Sequence, residues 1–133
     1  MKTYYIYSQT KEKFVKISKS DLVAGDIICC KNDNGFIHID NSTIFVVINP
    51  ESNNGVFRVR SLMVALGAVK HAKQSFGIYF FPHELDQYIT GDKLNEDLVD
   101  INWGYLQFRG VAKEWVDFVE THIDKLLEKN CSD

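Results

Sequence analysis

No apolar run in this chain is long enough to cross a membrane: the longest, Thr43 to Ile48 and Phe76 to Phe81, are about six residues, where a helical span needs about 20. That excludes a transmembrane helix and a membrane partner. The N-terminus reaches the polar stretch Gln9 to Lys13 before any apolar core forms, so no export signal is expected. Cysteine is scarce and odd in number, with Cys29, Cys30 and Cys131 and no Cys-x-x-Cys. The histidines His38, His71, His83 and His122 stand singly instead of in ligand pairs. A disulfide framework and a zinc site are thus not expected, and reduced thiols in the cytoplasm are.

Also missing are a Gly-x-Gly-x-x-Gly or phosphate loop and a Gly-x-Ser-x-Gly elbow, which disfavours nucleotide-dependent and serine-nucleophile chemistry. Asp92, Glu96, Asp97 and Asp100 cluster, but without the ligand order of a calcium loop. No cofactor is expected. With two prolines, no repeat and no low-complexity tract, the chain offers no linker, and residues 1–133 are expected to form a single domain. Any disorder is expected only in the tail after Leu127.

What is present is ample core material, 45% hydrophobic residues against 25% charged. Thr3–Tyr7, Phe14–Ile17, Asp26–Lys31, Phe36–Asp40, Thr43–Ile48 and Val56–Arg60 are short runs of β-branched and aromatic residues, the composition of strands. Asn32-Asp33-Asn34-Gly35 and the stretch Asn49 to Gly55 separate neighbouring runs with residues suited to tight reversal, so antiparallel hairpins follow. The expected class is α+β: a strongly bent antiparallel sheet or small open barrel in the N-terminal half, covered by helices including a long C-terminal amphipathic helix.

In the second half, Leu62, Ala65, Leu66 and Val69 recur at helical spacing and predict a helix over 62–73. Phe76 to Phe81, ended by Pro82, reads as a central strand. His83–Ile89 and Lys93–Leu98 read as short helical turns, and Tyr105–Phe108 as a last strand. From Val111 to Leu127, Trp115, Phe118, Val119, Ile123 and Leu126 repeat every three or four positions and predict one amphipathic helix. Its other face carries Glu114, Asp117, Glu120, Asp124 and Glu128, an acidic stripe whose like charges at i and i+4 repel one another until a basic partner relieves them.

Charge is segregated along the chain. Residues 1–83 carry ten Lys or Arg against six Asp or Glu, a net +4, and residues 84–133 carry five against twelve, a net −7, within an overall −3. Function therefore reads as binding: a small cytosolic adaptor or inhibitor that recognises another protein through the acidic face and an aromatic anchor, Trp103, in the loop Trp103-Gly104-Tyr105. A second reading takes the N-terminal basic and aromatic residues, with Lys13, Lys16, Arg58 and Arg60 foremost, as a surface for single-stranded nucleic acid. The acidic whole, with pI near 5.8, weighs against it.

A third reading pairs Cys29 or Cys30 with His38 as a thiol nucleophile and its base. Leu22-Val23-Ala24-Gly25-Asp26-Ile27-Ile28, followed by His38, resembles the Gly-Asp strand and downstream histidine of NlpC-type papain-like hydrolases and their circularly permuted acyltransferase relatives. The resemblance covers under a fifth of the chain. In the permuted relatives an Asn-Cys pair at a helix start supplies the nucleophile, which the resemblance would put at Asn130-Cys131. Here that pair follows the last predicted helix, so no catalytic residue is assigned from it.

Overall fold

The computed structural model describes residues 1–39, 41–50, 56–77, 79–89 and 109–132. They divide into two compact units, Met1–Leu62 with His122–Asp133 in one and Met63–Thr121 in the other.

The first unit is built on a sheet of β1 (Thr3–Ser8), β2 (Lys13–Ile17), β3 (Ile27–Asn32), β4 (Gly35–Phe36), β5 (Phe45–Asn49) and β6 (Arg58–Ser61), most of them on the β-branched and aromatic runs; of the run Phe36–Asp40, expected as a strand, only Phe36 joins one among the described residues. A two-residue strand from the far end of the chain, β7 (Cys131–Ser132), completes it. The order is β6-β5-β3-β1-β2-β7, with β4 also on β3. Every ladder among the first six strands is antiparallel, and β7 runs parallel to β2. The β3–β4 reversal uses the predicted Asn-rich turn, in which the Asn32 side-chain oxygen accepts the Asn34 amide at 2.8 Å.

Register decides which side chains share a face. Tyr4 lies opposite Cys30, Ile6 opposite Ile28, Ile28 opposite Phe45, and Val47 opposite Val59. On this face Leu22, Ile28, Phe45 and Val47 form a buried cluster, flanked by Tyr4, Ile6, Ile17, Phe57 and Val59. The other face buries Tyr5, Tyr7, Phe14, Cys29 and Val46. The central strands β3 and β5 are thus covered on both sides, which is why their sequences run continuously apolar instead of alternating. A register shift between Val47 and Asn49 accommodates Ile48 as the extra residue of a bulge.

The α-helices among the described residues, in chain order, are α1 (Leu62–Phe76), α2 (Pro82–Ile89), α3 (Arg109–Thr121) and α4 (Ile123–Glu128). In the second unit, α1 buries Ala65, Leu66, Val69 and Ala72, α2 buries Leu85, and α3 buries Val116 and Val119. α4 belongs to the first unit, where Leu126 is fully buried and the His122 ring meets Tyr7 edge-on at 5.9 Å. Lys129, at a left-handed φ of 51°, ends α4. The Asn130 carbonyl then accepts the Phe14 amide at 2.7 Å, so the tail expected to hold any disorder joins the sheet instead.

The second half of the chain departs from expectation in several places. The long helix Val111–Leu127 is two helices, because His122 takes φ −104° and ψ 12°, in the bridge region, and separates α3 from α4. The apolar spacing continues through that residue, so periodicity alone does not register the break; Leu127, which closes the predicted apolar face, is 53% exposed. The described residues of the expected central strand Phe76–Phe81 form no strand: α1 runs on to Phe76 and stops at Gly77, whose φ of +77° suits only glycine without strain. Pro82 does not end a strand but opens α2, where its missing amide is no loss and its fixed φ is already helical. Lys93–Leu98 and Tyr105–Phe108 lie outside the described residues. Among the described residues no helix is long and apolar enough to cross a membrane.

Candidate functional site

The two adjacent cysteines of β3 point to opposite faces of the sheet, and each face carries a feature of chemical interest.

On the Cys30 face the apolar cluster opens into a cavity of about 430 Å³, lined by Lys2, Tyr4, Lys19, Ile28, Cys30, Ile37, Ile39, Phe45, Val56, Phe57 and Val59. The Tyr4 and Phe57 rings form one wall, edge to face at 5.9 Å. The Lys19 ammonium lies 4.7 Å from the Phe57 ring centre and 5.9 Å from that of Tyr4, within the range of cation–π attraction. Ile39, 47% exposed, and Val56, 76% exposed, extend the apolar lining to the rim. Burial pushes the Cys30 thiol pKa up, and the charges of Lys2 and Lys19 pull it the other way, so both ammonium groups act on the cavity wall.

Local sequence explains how this cavity is framed. After β2 a 3-10 turn, Lys19–Asp21, sets Lys19 beside the aromatic wall. Gly25 then turns at φ +96°, donating its amide to the Val47 carbonyl at 2.8 Å, and the Val47 amide returns to the Asp26 carbonyl at 2.9 Å. The Asp26 carboxylate accepts the Val23 amide at 2.8 Å. Burial raises the Asp26 pKa and that hydrogen bond opposes the rise. The Gly-Asp pair that resembles a hydrolase strand thus fastens the β2–β3 connection to β5.

On the opposite face the Cys29 and Cys131 sulfurs lie 3.6 Å apart, although β3 and β7 are three steps apart in strand order. The Cys131 thiol also donates to the Lys129 carbonyl at 3.6 Å. Beside the pair, the ammonium groups of Lys31 and Lys129 approach the Phe36 ring at 4.8 and 5.3 Å. Burial drives the Cys29 thiol pKa strongly upward, the neighbouring Cys131 adds to the rise, and Lys31 opposes it. A thiol held protonated is the reverse of an activated nucleophile. Nδ1 of His38 donates to the Phe36 carbonyl at 3.1 Å, and no hydrogen bond joins His38 to Cys29 or Cys30 among the described residues. Nor does any group of three or more His, Cys, Asp or Glu among them suit a metal ion.

The predicted recognition residues fall on several elements. Trp103 lies outside the described residues. Glu114, Asp117 and Glu120 are on α3 in the second unit, whereas Asp124 and Glu128 are on α4 in the first. Asp117 pairs with Lys113 at 2.8 Å and Glu120 with Lys70 at 2.9 Å, and each carboxylate raises the pKa of its lysine. Lys125 of α4 lies 3.8 Å from both Glu12 and Glu128. Lys13 and Lys16 are on β2 and Arg58 and Arg60 on β6, with β1, β3 and β5 between, four ladder steps or roughly 19 Å along the sheet. Lys13 faces the Cys30 side; Lys16 and Arg60 face the other.

Folding also redistributes the net charge: the first unit holds ten Lys or Arg against nine Asp or Glu, net +1, and the second five against nine, net −4. Tyr4 and Lys19 stand out in sequence as part of the basic and aromatic interleaving, but nothing there joins them to Phe57. Cys29 and Cys131 are 102 positions apart with no local signal linking them. No protein-family model, curated protein or solved structure matches the chain.

Proposed function

We propose that this chain is a small, cytosolic, non-enzymatic binding protein that recognises another protein, and that it does so at the Cys30-face cavity. The observation that carries the reading is an apolar, aromatic-walled cavity of about 430 Å³ whose lining continues onto exposed Ile39 and Val56 beside two lysines. Its volume is that of a ligand site. Exposed apolar side chains at its rim are the mark of a surface that a partner covers. The occupant is a segment that inserts an apolar side chain against Tyr4 and Phe57 while a carboxylate meets Lys19 and Lys2.

A strongly bent sheet is part of this proposal, supported by the approach of Cys29 and Cys131 across three ladder steps. The acidic helix residues support protein recognition less well, because Asp117 and Glu120 already have lysine partners within their own unit.

Fluorescence anisotropy with a panel of labelled peptides, each combining a bulky apolar residue with a neighbouring carboxylate, tests the reading. Binding should saturate, weaken on Lys19→Glu or Phe57→Ala, and survive Glu114→Lys. Binding abolished by Glu114→Lys but indifferent to Lys19→Glu would transfer the recognition surface to α3 and defeat the assignment of the cavity.

A further inference from the structure

The binding reading leaves the Cys29–Cys131 pair without a role. Cys29 is fully buried and Cys131 is half-buried, so a dissolved reagent meets Cys131 first. A disulfide has its sulfurs about 2.05 Å apart, so the 3.6 Å contact must close by about 1.5 Å. The residue that has to move belongs to β7, held by a ladder of only two residue pairs and the Asn130–Phe14 hydrogen bond. Cys30 points to the other face and cannot compete for the same bond.

We propose that Cys29 and Cys131 are a reversible disulfide site, oxidised by a low-molecular-weight disulfide of the glutathione class, and that the bond latches the C-terminal strand to the sheet. The Cys131 thiol loses its proton to solvent, and its thiolate attacks one sulfur of oxidised glutathione, breaking that S–S bond and expelling a glutathione thiolate, which takes up a proton. Cys29 then attacks the Cys131 sulfur of the mixed disulfide, its proton passing to the departing glutathione thiolate. The Cys29–Cys131 bond forms, and the second glutathione leaves and is protonated. Two protein thiols are oxidised to one disulfide while one small disulfide is reduced to two thiols. Burial of Cys29 makes the second step the slow one, and the positive charge of Lys31 beside it lowers the cost of its thiolate.

The test uses the full chain, equilibrated with oxidised glutathione, acid-quenched, alkylated and mapped by mass spectrometry. The expected result is a Cys29–Cys131 cross-linked peptide in a protein lighter by about 2 Da for the two lost hydrogens, with Cys30 alkylated and the link removed by dithiothreitol. Cys30→Ser should form the same link. Amide exchange at Phe14, whose hydrogen bond holds the end of the tail, should slow about tenfold on oxidation. Glutathione that stays on Cys131 as a mixed disulfide, or a link through Cys30, would overturn the site. Unchanged Phe14 exchange in cross-linked protein would overturn the latch.

Discussion

The two units bury apolar side chains by different means. In the first, strands distant in sequence meet: β3 lies between β1 and β5, and β7 returns from the chain's end to the edge of β2. Each core residue there depends on the register of several strands. In the second, α1 contributes Ala65, Leu66, Val69 and Ala72 from one helix face, a pattern set by local spacing. The sheet unit therefore gathers residues that no local pattern relates, such as Lys19 with Phe57 and Cys29 with Cys131, and both candidate sites fall in it.

The largest effect is expected at Phe45, which is buried beneath the cavity at the centre of the sheet. Phe45→Ala should cost about 3 to 5 kcal/mol in urea unfolding, more than Val69→Ala in α1, because it removes more buried volume. Equal costs would show that burial in the sheet carries no special weight.

The next effect is on binding. Lys19→Glu reverses the charge at the cavity mouth and should weaken an acidic peptide ligand by about tenfold to a hundredfold, leaving the unfolding midpoint nearly unchanged. A large fall in stability with intact binding would make Lys19 a structural residue.

Smaller changes separate two glycines of the helical region. Gly77→Ala places a Cβ at φ +77° with nothing within 4 Å, so only the backbone conformation opposes it, costing about 1 to 2 kcal/mol. Gly67→Ala, exposed within α1, should instead stabilise by about 0.5 to 1 kcal/mol. Thermal melts of the two variants should move in opposite directions.

The smallest effect is one of pH, and it belongs to α2 of the second unit. Burial lowers the His83 pKa, so the unfolded chain binds that proton more tightly; stability is full above the ordinary histidine value and is lost as pH falls through it to the lowered folded value. Burial raises the Glu84 pKa, so its contribution is present below the ordinary glutamate value and is lost as pH rises through the raised one. His83→Gln should flatten the slope just below the ordinary histidine value, and Glu84→Gln the slope just above the ordinary glutamate value, in denaturant midpoints measured across pH.

The α+β class, strands β1, β2, β3 and β5, the Asn32–Gly35 reversal and the start of α1 were legible locally, because each rests on local preference or on a short-range period, whereas the run Phe36–Asp40 joins a strand only at Phe36 among its described residues. The sequence by itself did not determine the break at His122, since one residue in the bridge region leaves helical spacing intact on both sides. It misread Phe76–Phe81, where six apolar residues fit a strand as well as a helix end, and only the turn at Gly77 and the helix start at Pro82 separate the two. Tertiary structure alone decided that the tail re-enters the sheet, that the acidic residues divide between units, and that a cavity opens between Tyr4, Lys19 and Phe57. These depend on which strands pair and in what register, a choice among long-range contacts of similar local quality that no single segment contains.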